Sequence, residues 1–202
     1  KMTNETAIVT NPAVSNLISE FTGGSASDIE MMIGIGLVKD SDAVFFQYMG
    51  EEQQPQALML PSGRPLTRLA NVRLHSIDIA ENVGEFNSTK LNINLQSNQG
   101  RVIMLTSGLQ TIWSQCVLTS LMGLLNSEVG ITQLFTLDTW KGTSKLKPCF
   151  AAIRAGGQKV SDQVMYDLLR EARGDRDKAK VESIMRGAVA ELRGITQVDE
   201  VT

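Results

Sequence analysis

The stretch from residue 90 to residue 105 decides the fold, and it reads KLNINLQSNQGRVIML. Apolar side chains alternate strictly with polar ones at Leu91, Ile93 and Leu95, and this period of two predicts a half-buried β-strand. The turn-forming run 97–100 follows, and the apolar run 102–105 returns as a partner strand. The stretch therefore predicts a β-hairpin with one apolar and one polar face.

The segments on either side extend this hairpin into a larger unit. Residues 71–79 predict a strand before it, and residues 131–140 and 148–154 predict a second hairpin after it. Between the hairpins, apolar side chains recur at helical spacing behind a candidate N-cap at Ser107, which predicts a helix. Strand, hairpin, helix, hairpin is the element order of the OB-fold, a five-stranded barrel. We expect residues 70–155 to form an OB-like barrel, so the fold class is mainly β with α additions.

The first 69 residues are expected to pack on this barrel. Residues 12–21 predict a short helix, and the apolar runs 29–38 and 43–49 predict two strands of a β-unit. Residues 51–66 contain three of the five prolines of the chain, a composition typical of a linker.

The period changes from two to 3.6 after residue 161, which predicts a C-terminal helical hairpin over residues 161–194. Ser161 or Asp162 is expected to cap the first helix, and Asp175 the second. The second helix carries a stripe of apolar side chains: Val181, Ile184, Met185, Ala188, Val189 and Leu192. This stripe must bury against the barrel, the first helix or a partner chain. A homo-oligomer formed through these helices is therefore one prediction.

The composition of the chain limits the functions that it could have. The chain has 202 residues and a net charge of −3, so binding to nucleic acid would need a local basic groove. Cys116 and Cys149 fall in apolar segments, where buried free thiols of a reducing compartment are expected. The sequence shows neither a signal peptide nor a long apolar run. We therefore expect a cytoplasmic protein, in the host cytoplasm if it is phage-encoded, without membrane contact.

The second hairpin carries the clearest binding signal. Three lysines, Lys141, Lys145 and Lys147, lie between Trp140 and Phe150. Arg154 shares a strand face with Phe150. Cations that follow a phosphate backbone, beside aromatic rings that stack on bases, are what binding of single strands requires. The alternative is a solvated hairpin tip with a half-buried tryptophan.

The polar face of the first hairpin is a second candidate. Lys90 and Asn92 belong to it, together with Asn94 and Gln96, and Arg101 joins it in one of the two hairpin registers. Arg73 lies on the same face of the preceding strand as His75, Ile77 and Ile79, and this position would place it near the groove. Amide side chains can hydrogen-bond bases, and cations can pair with phosphates. The alternative is the solvent face of an antiparallel sheet.

Signals for an enzyme are weak. His75 is the only histidine, and no serine lies in a G-x-S-x-G motif. The carboxylates of Asp78, Glu81, Glu85 and Asp138 could bind a divalent ion, but their spacing specifies no site. We predict no catalytic residue, no metal site and no cofactor.

The element order, the hairpin from Trp140 to Phe150 and the acidic end at residues 199–200 resemble the single-stranded-DNA-binding OB-fold proteins of phages and plasmids. The resemblance covers about residues 70–155 and is architectural. It implies non-catalytic binding and protection of single-stranded DNA in replication, recombination or repair. The end of the chain departs from the group, since it lacks a long acidic run and a terminal aromatic residue. The rivals are a structural or oligomerisation protein and a small metal-dependent nuclease.

Overall fold

A computed structural model describes residues 31–39, 41–49, 54–128 and 130–196. Within these ranges the protein is mainly β, with nine strands in one open mixed sheet and three helices. The helix predicted over residues 12–21 and the acidic end at 199–200 lie outside the described residues.

The elements follow one another along the chain with short connections. The strands are β1 (Met31–Ile35), β2 (Phe45–Met49), β3 (Gln54–Ala57), β4 (Arg68–Val83), β5 (Ser88–Ser97), β6 (Val102–Gly108), β7 (Phe135–Lys141), β8 (Cys149–Ala155) and β9 (Gln158–Val160). The helices are α1 (Ile112–Leu125), α2 (Gln163–Gly174) and α3 (Lys178–Thr196). The strands lie in the order β3-β2-β1-β6-β5-β4-β7-β8-β9, and in the described part of the chain only β1 and β6 pair in parallel.

The predicted order of strand, hairpin, helix, hairpin is confirmed as β4, β5–β6, α1 and β7–β8. The alternation in β5 also has the predicted consequence, because Leu91, Ile93 and Leu95 are all buried. The second hairpin begins at Phe135, later than the predicted residue 131, because a turn follows Gly130, whose φ of 78° is left-handed.

One long strand joins the two hairpins. β4 has 16 residues, and its later part pairs with β5 while its first residues pair with β7. The register shifts between Leu69 and Val72, where Asn71 takes a φ of 55°, so the strand bends as it passes from one ladder to the other.

The sheet stays open where a barrel would close. Strands β4 to β8 lie in the order β6-β5-β4-β7-β8, so a closed five-stranded barrel would need β6 to pair with β8. The outer edge of β6 is instead taken by β1, and that of β8 by β9. Among the described residues the ladders therefore show a mixed open sheet, and a closed barrel is not shown.

Helix α1 packs against β8 and joins the same core as the inner face of the sheet. Its N-cap is Thr111, whose hydroxyl accepts a hydrogen bond from the N–H of Ser114 at 3.2 Å. The predicted N-cap, Ser107, is wrong because β6 continues to Gly108 and includes it. Near the other end of the helix, Gly123 lies against the main chain that enters α2.

The C-terminal helical hairpin is present and is buried by its own chain. Asp162 caps α2, as predicted, by accepting from the N–H of Met165 at 2.7 Å. The second cap is Asp177, which accepts from the N–H of Lys180 at 2.9 Å, whereas the predicted Asp175 is the C-cap of α2. Five residues of the predicted α3 stripe are buried in the common core, namely Val181, Met185, Ala188, Val189 and Leu192. The burial of these five side chains therefore needs no second subunit.

Two short edge strands lie where the sequence predicts none. β3 occupies part of the segment interpreted as a linker, and it tolerates Pro55 because an edge strand needs hydrogen bonds on one side only. β9 occupies part of the predicted turn 155–159 and forms the opposite edge.

Candidate nucleic-acid interface

An exposed aromatic pair marks the β7–β8 hairpin. Trp140 and Phe150 are direct partners in the ladder, and their rings stack with centroids 5.9 Å apart and planes 17° apart. The indole remains 43% exposed. A Cβ atom at Gly142 would lie 2.8 Å from the Phe150 ring, so the glycine makes room for that ring. The pair therefore presents one aromatic surface to solvent.

The predicted lysines lie in the hairpin tip between these rings, and we call residues 140–150 the lysine hairpin. Lys145 and Lys147 are exposed at the tip, while the Lys141 ammonium donates to the main-chain carbonyl of Ser41. The hairpin therefore lies against the β1–β2 loop. Together they form an open depression of about 540 Å³, lined by Leu37, Val38, Lys39, Ser41, Asp42, Lys141 and Lys147. Among the residues that the structure describes, three cations face one carboxylate there, and one of them, Lys39, was not predicted as a site residue.

Arg154 lies on the predicted side of the sheet but is ion-paired. Its Nε is 3.2 Å from the carboxylate of Asp138, which also accepts from Arg68 Nε at 2.6 Å. The hydrogen bond to Asp138 raises the pKa of the Arg68 guanidinium. Two guanidinium groups share one carboxylate, so this cluster keeps a net positive charge beside Trp140.

The structure brings five of the six candidates of this surface together. Lys90 and Asn92 lie on the side of β5 opposite its buried residues, and Arg73 donates from Nε to the Gln96 side chain at 2.8 Å. Asn94 donates to the hydroxyl of Ser76 at 2.8 Å. We call Arg73, Lys90, Asn92, Asn94 and Gln96 the polar face.

The strand register places Arg101 on the side of the sheet opposite the polar face. The N–H of Ser97 donates to the carbonyl of Arg101 at 2.8 Å, so these two residues lie across from each other. The side chain of Ser97 is buried, whereas Asn92 and Gln96 point to the opposite side. A shift of one residue changes the face of a strand residue, and the sequence left this register open.

Three of the four carboxylates of the nuclease alternative, Asp78, Glu81 and Asp138, are paired with arginines. Asp78 pairs with Arg193, and Glu81 pairs with Arg186 at 2.6 Å. The hydrogen bond from Arg186 lowers the pKa of Glu81. Among the residues that the structure describes, no group of three or more His, Cys, Asp or Glu side chains could hold a metal ion. His75 is exposed at the register shift of β4.

The two cysteines are free and partly exposed, not fully buried as expected. Burial still raises the pKa of both the Cys116 and the Cys149 thiol. Each thiol is therefore a weaker nucleophile at neutral pH than an exposed one.

Comparison of the chain with protein families, curated proteins and solved structures gave no match. None of the helices in the described ranges is both long and apolar enough to cross a membrane. The site's own geometry is therefore what supports a function.

Proposed function

We propose that the protein binds single-stranded DNA and protects it during replication, recombination or repair, without catalysing a reaction. The observation that carries this proposal is the exposed Trp140 stacked on Phe150 at the base of the lysine hairpin. An exposed ring extends a stack of bases whatever their sequence, and each stacked base contributes about 1–3 kcal/mol. Lys145 and Lys147 supply the exposed positive charges that pair with phosphates.

The proposal includes an OB-like arrangement of strands β4 to β8. Two observations support this arrangement, namely the order of the elements and the long strand β4, which connects both candidate surfaces. The polar face lies on β4 and β5, and the lysine hairpin on β7 and β8. A strand of DNA that contacts both would cross the bend of β4.

A second candidate function is assembly of the chain with itself. Its support is the outer side of α2, where Val164 is 70% exposed and Leu168, one turn later, is also exposed. These residues share one helix face, and such a pair can pack on the same pair of a second subunit. Light scattering over a concentration series tests this candidate, and Val164→Asp should abolish any dimer without unfolding the chain.

Fluorescence of Trp140 tests the DNA proposal directly. The variant Trp113→Phe removes the buried indole and leaves Trp140 as the only tryptophan. Titration with oligo-dT should then quench the emission, while duplex DNA of the same length should not. Quenching is the expected result because a base stacked on the indole can accept an electron from the excited ring, which then returns to its ground state without emitting light.

The second measurement is the affinity for labelled oligo-dT, determined by fluorescence anisotropy. Trp140→Ala should lose about 1–3 kcal/mol, which is about 5-fold to 150-fold in Kd. Phe86→Ala is the matched control, since Phe86 is an exposed aromatic residue in the β4–β5 turn. Wild-type protein that does not bind oligo-dT, or a Trp140→Ala variant that binds as tightly as the control, would refute the proposal.

A further inference from the structure

Gly34 of β1 makes room for an aromatic ring of β2. Gly34 and Phe46 are register partners, and a Cβ atom built at Gly34 would lie 2.4 Å from two carbons of the Phe46 ring. Carbon atoms in contact lie about 3.5–4.0 Å apart, so a side chain at this position would displace the ring. The ring therefore rests against the backbone of β1.

Two exposed apolar side chains continue the surface of this ring. Tyr48, two residues after Phe46 on the same side of β2, meets it edge to face with centroids 5.2 Å apart. Tyr48 is 57% exposed, and Met32, two residues before Gly34, is 56% exposed. We call Met32, Phe46 and Tyr48 the aromatic platform. Single exposed apolar residues are common, but a contiguous group of them indicates a contact surface.

Strand register makes the platform continuous with the polar face. Met32 lies across from Met104 in the parallel ladder, and Met104 lies across from Asn94. Gly34 likewise lies across from Thr106, and Thr106 lies across from Asn92. Because ladder partners point to the same side of a sheet, aromatic, thioether and amide side chains follow one another across four strands.

This side of the sheet suits a polyanion. The strands β1, β2, β3, β5 and β6 contain no aspartate or glutamate, although the chain has 22 acidic residues. Lys90 and Arg73 supply positive charge on the neighbouring polar face. The carboxylate nearest to this path is Asp78 of β4, which lies across from Asn92 of the polar face and is paired with Arg193. Phosphates could therefore cross these strands without meeting a carboxylate on them.

We propose that the aromatic platform is a second base-stacking site, which extends the path of single-stranded DNA from the polar face onto β1 and β2. Bases stack on Tyr48 and pack against Met32, the amides of β5 bond base edges, and Arg73 and Lys90 pair with phosphates. This inference rests on the proposed function. It adds a contact on strands that lie outside residues 70–155, where the sequence predicts the barrel.

Tyr48→Ala tests the inference, because the side chain is more than half exposed and we therefore expect the variant to keep its fold. We expect at least a fivefold loss of affinity for oligo-dT of about 16 nucleotides, the upper range of site sizes. The number of nucleotides covered per protein on poly-dT should also fall. Tyr166→Ala, which removes an exposed tyrosine from α2, is the control and should change neither value.

Gly34→Ala tests the same site without removing an aromatic side chain. The new methyl group must push the Phe46 ring away, which a flexible side chain allows, so we expect a loss of affinity similar to that of Tyr48→Ala. Oligonucleotides that carry 5-iododeoxyuridine give a direct readout, since irradiation should crosslink a base to the peptide that contains Tyr48.

The outcomes separate this inference from the proposed function. If wild-type protein binds oligo-dT and Trp140→Ala weakens binding, but Tyr48→Ala matches Tyr166→Ala, the second site is refuted and the proposed function stands. If Tyr48→Ala lowers the mass seen by light scattering and leaves DNA binding unchanged, the platform contacts protein, which also refutes it. If wild-type protein does not bind oligo-dT, the proposed function and the second site both fail.

Discussion

Replacing Gly123 with alanine should destabilise the protein, although alanine favours helices. A Cβ atom at Gly123 would lie 2.5 Å from the carbonyl carbon of Ser161 and 2.7 Å from the backbone nitrogen of Asp162. These atoms belong to the main chain, so no change of rotamer relieves the contact. Asp162 is itself held in place, because its N–H donates to the Thr119 carbonyl at 2.9 Å and its carboxylate caps α2.

The magnitude follows from three terms. Overpacking of this kind costs about 1–3 kcal/mol, and weakening the hydrogen bond to Thr119 costs about 0.5–1.5 kcal/mol. Alanine returns about 1 kcal/mol through its higher helix propensity. We therefore expect a net loss of about 0.5–3.5 kcal/mol, which lowers the Tm by about 1–14 °C for a chain of this size.

Gly187→Ala in α3 is the matched control. Gly187 is exposed in mid-helix, and a Cβ atom there would meet no atom within 4 Å. The same chemical change should therefore stabilise the protein by about 1 kcal/mol. Urea unfolding followed by circular dichroism measures both variants. If Gly123→Ala also stabilises the protein, α1 does not dock on residues 161–162 as described.

Three further predictions concern charge, pH and assembly. Replacing Lys145 and Lys147 with alanine should flatten the slope of log affinity against log salt by about 1.4, whereas Lys178→Ala should leave it unchanged; equal slopes would move the phosphate path elsewhere. Burial raises the pKa of the Cys116 thiol, so the folded state retains its proton where the unfolded state loses it. Stability should therefore fall as the pH rises above about 8.5, and the urea midpoint of Cys116→Ala should fall less; an identical pH dependence would contradict this. Deleting residues 163–196 should give unfolded protein, because α3 fills the core. A soluble, folded remainder of lower mass by light scattering would instead support assembly through these helices.

The elements with one buried face were predictable from the sequence. Period two in β5 and helical spacing in α1 both follow from burial against the same core, and burial leaves a local pattern. The pairing of β1 with β6 leaves no such pattern, because the partner lies far along the chain. The edge strand β3 was missed because its proline and glutamines have the composition of a loop.

The candidate site was predictable where it depends on one strand or one hairpin. Trp140 and Phe150 belong to the same hairpin, and Lys90 and Asn92 alternate along one strand. The side of the sheet on which Arg101 lies depends on the pairing register of the hairpin, and a shift of one residue would move it to the other side. The carboxylate that holds Arg154 and the loop that adds Lys39 are placed by tertiary contacts, for which the sequence carries no local signal.

The parallel pair β1–β6 also sets an order of events during synthesis. β1 leaves the ribosome about 70 residues before β6, which at about 5–20 residues per second is a wait of about 4–14 s. In that interval β2 is the one strand among the described residues that pairs with β1, and the edge that β6 will cover is open to other strands. The half-made chain is therefore the state most exposed to aggregation. A chaperone that covers β1 until the β5–β6 hairpin emerges should raise the yield of folded protein more than one added to the finished chain.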